Sequence, residues 1–100
     1  HKVSAIQPQG RESVNYDIVG PVCESGDTFA VQRPLSKLQS GELVAIHDCG
    51  AYGATMSSTY NSRPLVGEVL VNGANSSSIK KRQTVEELIA MDNVPCWLKP

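Results

Sequence analysis

The chain has 100 residues, 40% of them apolar, and its 9 Lys+Arg against 10 Asp+Glu leave a net charge of −1. Those values suit one small domain with a modest core. They exclude the clustered basic face that nucleic-acid binding needs, and no stretch reaches the ~20 apolar residues that span a bilayer.

Residues 1–13 are polar, contain Pro8 and Gly10, and read as an exposed lead-in to a domain over 14–100. No apolar h-region opens the chain, so no signal peptide is expected. "SVNYDIVGPVC" follows, with Val14, Tyr16 and Ile18 alternating with Asn15 and Asp17. That period of two predicts a half-buried strand, interrupted at Gly20 and Pro21. "GPVCESGDTFA" is a polar turn, and "DTFAVQRPL" a second extended stretch. A connector ending in a Ser-Gly turn leads to "ELVAIHDCGAYG", whose Leu43 to Ile46 read as the clearest buried strand.

"PLVGEVLVNG" is a valine-rich strand, and its Asn72-Gly73 pair signals a hairpin with a type I′ turn. "SSSI" at 76–79 reads as a polar linker within that hairpin, with "SIKKRQT" as the return strand. Thr84 stands three residues before Glu87, a capping-box spacing, so a helix is expected from Val85 to about Asp92, with Pro95 preventing much more. Together these elements predict a mainly β fold: a small Greek-key-like β-barrel or sandwich with one short C-terminal helix.

Cys23, Cys49 and Cys96 are widely spaced and include no CxxC pair, which supports neither a disulfide framework nor a zinc site. A reducing, cytoplasmic compartment is the expectation. Cys23 taken alone reads as a small buried hydrophobe. Its neighbours Glu24, Ser25, Gly26 and Asp27 favour a second reading, a surface thiol kept neutral by adjacent carboxylates and able to donate a proton. Tyr52, between Gly50 and Gly53, either packs over a turn or offers a phenol to a phosphate or carboxylate where the glycines let backbone approach a ligand. The polar run Ser57–Arg63 fits a loop packed on a partner or ligand better than a linker. His47 and Asp48 are adjacent on an extended segment and point to opposite faces, which speaks against a catalytic pair.

Three stretches carry a resemblance: "GPVCESGD" at 20–27, "GAYGATMSSTYNSRPLVGEVLV" at 50–71 and "KKRQTVEELIAMD" at 80–92. In order and spacing, from Tyr16 to Leu98, they resemble the C-terminal β-domain of the diaminopimelate decarboxylases, within the pyridoxal-phosphate-dependent fold-III family. The resemblance implies an enzyme that converts meso-2,6-diaminopimelate to L-lysine and CO2. It implies a cofactor held mainly by an N-terminal (β/α)8 barrel, through a Schiff-base lysine and a glycine-rich phosphate site, and an active site at a homodimer interface. Cys23 would reach the partner subunit's barrel and protonate the substrate carbon after CO2 leaves. Glu24, with Ser25 beside it, would recognise the distal amino group. Tyr52 would contact the cofactor phosphate or the substrate, and Tyr60, Asn61 and Arg63 would shape the surrounding loop.

The chain carries no βα repeat or glycine-rich phosphate loop, and Lys37, Lys80, Lys81 and Lys99 all read as solvated. By itself it is therefore expected to be inactive and to bind the cofactor weakly. A non-catalytic β-domain, acting as a dimerisation or binding module through the same loops, is the alternative.

Overall fold

The computed structural model describes residues 1–7 and 10–99, so Pro8 of the expected lead-in lies outside the described residues. Six strands dominate: β1 (Val3–Ala5), β2 (Ser13–Val19), β3 (Thr28–Ser36), β4 (Val44–Ile46), β5 (Glu68–Asn72) and β6 (Asn75–Lys80). One short helix, α1 (Val85–Ile89), follows them. All pairings are antiparallel, in three two-stranded sheets, β1–β4, β2–β3 and β5–β6. The fold is thus mainly β, as the alternation and turn signals predict, and no closed barrel forms among the described residues. The chain divides into two compact units, His1–Met56 and Ser57–Pro100.

In the first unit the period of two in β2 is realised: Val14, Tyr16 and Ile18 are half-buried and the residues between them exposed. Val14 lies opposite Leu35, Tyr16 opposite Arg33 and Ile18 opposite Ala30. Between the last two pairs the register slips, so Val31 and Gln32 face Asp17 alone. Gln32 takes a left-handed φ of 48°, and its N–H donates to Asp17 Oδ1 at 2.8 Å. The carboxylate satisfies a donor that the bulge would otherwise remove from the ladder. A second slip follows between Ile18 and Val19.

The buried core is Val3, Ala30 and Leu35, with Tyr16, Ile18, Leu38 and Ile46 packed against it. Tyr16 also closes the connector, its hydroxyl accepting from the Leu38 N–H at 2.9 Å. Arg11 fixes the other end of that connector, donating to the Lys37 carbonyl and to Glu42 Oε1 at 2.6 Å. This bond, reinforced by the Gln39 N–H, holds the Glu42 carboxyl below the ordinary range.

Two expectations fail here. The lead-in is not exposed throughout, because Val3 in β1 is only 5% exposed and β1 pairs with β4. The apolar run "LVAI" is not a buried strand: Leu43 lies outside β4 and is 65% exposed. Val44 is exposed as well, and of this run Ile46 alone packs against the core.

In the second unit β5 and β6 pair with Val69, Leu70 and Val71 opposite Ser78, Ser77 and Ser76. The serines expected as a linker are therefore strand residues, since the ladder needs only their backbone groups. The turn is Gly73-Ala74, flanked by the Asn72–Asn75 pair. Of these two, only Gly73 has a positive φ, +60°. That is the pattern of a type II′ turn, with glycine at its first central position, and replaces the expected type I′.

The segment after β6 is clamped to the one before β5. Gln83 N–H donates to the Leu65 carbonyl at 3.0 Å, and Leu65 N–H donates back to Gln83 Oε1 at 3.0 Å. Gly67 makes the approach possible: a Cβ there would lie 3.2 Å from the Arg82 nitrogen and the Lys80 carbonyl oxygen.

The capping box forms as the spacing predicts. Glu87 N–H donates to Thr84 Oγ1 at 3.1 Å, and Glu87 Oε1 accepts from the Thr84 N–H. The helix ends at Ile89, short of the expected Asp92. None of the described residues in this unit is buried.

Lys81, and then the Thr84 N–H, hold the Glu87 carboxyl below its ordinary value of 4.5. A depressed carboxylate contributes stability above its unfolded pKa, and that contribution is lost as pH falls through the folded value. Amide protection at Leu88 is therefore expected to decline on acidification below pH 4.5 and to be insensitive to pH between 5.5 and 7, as hydrogen exchange corrected for intrinsic rates will show. Thr84→Ala is expected to destabilise the helix by about 1 kcal/mol.

Candidate functional site

The tip of the β2–β3 hairpin, residues 20–27, carries Cys23, Glu24 and Ser25, all exposed. Its shape is set from beneath by Asp27. Gly20 N–H donates to the Asp27 carbonyl at 2.9 Å, and Val22 N–H donates to Asp27 Oδ2 at 3.1 Å. The carboxylate occupies the space where a side chain at position 20 would be, since a Cβ on Gly20 would overlap it. Asp27 N–H closes the turn onto the Glu24 carbonyl at 3.0 Å, and Thr28 Oγ1 donates to the Ser25 carbonyl.

Glu24 is held as well as displayed. Its Oε1 accepts from the Gly26 N–H at 3.1 Å and, more weakly, from Ser25 Oγ at 3.5 Å. An ionised carboxylate has about four acceptor sites, so these bonds orient the group without exhausting it. Cys23 precedes it on the exposed tip and is a thiol, as are Cys49 and Cys96. The buried-hydrophobe reading of Cys23 is excluded by this exposure. The structural role of Asp27 and its glycine slot was not read from the sequence, although the Gly-x6-Asp spacing across a turn was visible there.

Tyr52 stands on a different element, a single π-helical turn over Gly50–Ala54 directly after β4. Its ring is 74% exposed, which leaves the phenol open to a ligand and excludes tight packing over the turn. Of the flanking glycines, Gly50 has open space where a side chain would be. Gly53 abuts the Cys49 Cβ, so its small size serves the turn's own closure.

His47 is engaged elsewhere: its Nε2 lies 2.7 Å from Ser4 Oγ, and its N–H donates to the Lys2 carbonyl. It thus ties β1 to β4. The polar run contains a 3-10 turn over Tyr60–Ser62, with Asn61 and Ser62 both left-handed. Among the described residues no group of His, Cys, Asp and Glu could hold a metal ion.

A family model for the "Pyridoxal-dependent decarboxylase, C-terminal sheet domain" matches residues 1–50. The chain belongs to this family. Diaminopimelate decarboxylase of Zymomonas mobilis is 50% identical over 98% of the chain, and that of Escherichia coli K12 is 43% identical over 92%. Among solved structures, diaminopimelate decarboxylase of M. jannaschii in co-complex with L-lysine superposes with a TM-score of 0.90, at 35% identity over 99% of the chain. The chain spans about a quarter of these relatives: 23% of the first, 25% of the second and 23% of the third. Membership of this decarboxylase family brings with it a pyridoxal cofactor in the enzymes concerned.

Asp27→Ala should loosen the tip. With the Val22 N–H unpaired, hydrogen exchange at residues 22–26 is expected to accelerate and the hairpin to lose about 1–2 kcal/mol, while exchange at Leu88 stays unchanged.

Proposed function

We propose that this chain is the substrate-facing sheet domain of a diaminopimelate decarboxylase, which releases CO2 from meso-2,6-diaminopimelate to give L-lysine. The observation that carries the reading is the oriented Cys23-Glu24-Ser25 tip in a chain 50% identical to an enzyme of that name. L-lysine bound in the M. jannaschii relative is the product this reaction would give. The alternative, a non-catalytic module, leaves the orientation of Glu24 without a use.

The residues present fit a contribution to a shared cofactor site and not a whole one. Tyr52 offers a single exposed phenol donor, whereas a phosphate takes several donors at once. Lys37, Lys80 and Lys81 are each spent in ion pairs. Pyridoxal phosphate is therefore held mainly by a barrel domain outside this chain, and when bound it supplies the electron sink for the carbon that loses CO2.

This chain's own side chains do the rest. Cys23 holds a proton on its sulfur and delivers it to one face of that carbon. Glu24, braced by Gly26 and Ser25, accepts the distal ammonium through a charge-assisted hydrogen bond. Substrates without that ammonium leave the carboxylate unpaired and are rejected. Tyr52 donates to the cofactor phosphate or the substrate, and Tyr60, Asn61 and Arg63 shape the surrounding loop. The tip serves the barrel of a partner subunit in a homodimer. The Greek-key barrel or sandwich is completed by strands outside this chain. The reaction is cytoplasmic, and among the described residues no helix is long and apolar enough to cross a membrane.

In the full-length protein, Cys23→Ala is expected to reduce kcat about 10²–10⁴-fold while the cofactor's absorbance persists. Near-normal turnover would remove Cys23 from the proton path. Glu24→Gln is expected to cost roughly 2–5 kcal/mol in kcat/KM, if the ammonium pair is desolvated. Unchanged preference for diaminopimelate over mono-amino analogues would contradict its role.

A further inference from the structure

The second unit contains a cleft of which the decarboxylase reading uses only Asn61 and Arg63. It encloses ≈ 650 Å³ between the segment before β5 and the segment joining β6 to α1. Arg63 and Arg82 both line it, beside Asn61, Ser62 and Gln83, and its apolar wall includes Leu65 and Val85. No carboxylate is among the lining residues.

The surrounding ion pairs make this charge distribution informative. Lys80 is neutralised by Glu68, and Lys81 by Glu87, on either side of the cleft sequence. Arg63 and Arg82 make no ion pair among the described residues. Glu68 and Glu87 are thus committed to the two lysines, and the cleft lining carries two arginines and no acid.

The cleft is also held in shape. The reciprocal Gln83–Leu65 bonds and the contact of Gly67 with the 80–82 backbone fix one wall against the other. Asn61 and Ser62 hold successive left-handed conformations, with φ of 57° and 58°, immediately before Arg63. Asparagine enters this region readily, whereas a serine there is held by its surroundings.

We propose that this cleft binds a small organic oxyanion, a carboxylate or phosphate ester with a short apolar body. Guanidinium forks match both oxyanions, and Asn61, Ser62 and Gln83 add neutral polar groups. The apolar wall favours a carbon skeleton over a bare ion. Asn61 and Arg63 also belong to the loop that the decarboxylase reading sets around the active-site mouth, whereas Ser62, Arg82, Gln83 and Val85 have no part in that reading.

The test is a titration of the full-length protein with glutarate, phenyl phosphate and inorganic phosphate, at ionic strength fixed with NaCl. Arginine Nε–Hε resonances report binding in the unmodified protein. Saturable shifts of the Arg63 and Arg82 signals are expected with one or both organic anions. Comparing glutarate with phenyl phosphate identifies the oxyanion. R63Q and R82Q should each weaken that binding about tenfold or more, the loss of one charge-assisted contact, with thermal midpoints unchanged. Three results would overturn the proposal: shifts linear in concentration for both organic anions, equal binding by R63Q and R82Q, or inorganic phosphate binding as tightly as the organic anions.

Discussion

Among the described residues only three side chains, Val3, Ala30 and Leu35, are buried, and much else about the chain follows from that shortage. A small domain retains its fold by removing apolar surface from water, and the margin is a few kcal/mol even when the core is full. Here the core is confined to the first unit. Val69, Leu70 and Val71 in β5, Ile79 in β6 and Ile89 in α1 all remain exposed. Apolar strands of this kind imply a cover. The relatives that the chain matches are about four times as long.

The same shortage explains how the tip is built. None of residues 20–27 joins the core that Ala30 and Leu35 supply lower in the hairpin, and the tip is stiffened by polar locks. Asp17 fills the bulge, Asp27 organises the turn, and Gly20 leaves room for the second carboxylate. These carboxylates are structural, whereas Glu24 and the thiol of Cys23 are displayed outward. Division of labour between adjacent acids fits a tip that must hold its shape while offering a proton and an anion to a ligand. It also fits the proposed active site assembled from more than one chain segment, to which the tip would bring recognition and acid chemistry.

Local signals were legible in the sequence where they depend on near neighbours. The alternation in β2 gave its half-buried face, and the Thr84–Glu87 spacing gave a real capping box, because both are set within a few residues. Cys23, Glu24, Ser25 and Tyr52 stood out as candidates from their neighbours, and all four are exposed in the fold. Signals that depend on distant partners failed. "LVAI" looked buried because apolar runs usually are, but this chain does not cover it. "SSSI" looked like a linker because serine is a poor strand former, yet pairing with Val69–Val71 sets its conformation. Arg63 and Arg82 lie far apart in sequence, and the Gln83–Leu65 clamp joins their segments at one cleft.

The central claim is that the hairpin tip meets the substrate, and alkylation of Cys23 tests it most directly. In the full-length protein, the rate of iodoacetamide labelling at Cys23 can be followed by peptide mass spectrometry with and without saturating L-lysine. If the tip lies at the substrate site, L-lysine will shield the thiol and slow its labelling severalfold. Labelling of Cys23 at the same rate in the presence of L-lysine would contradict the account.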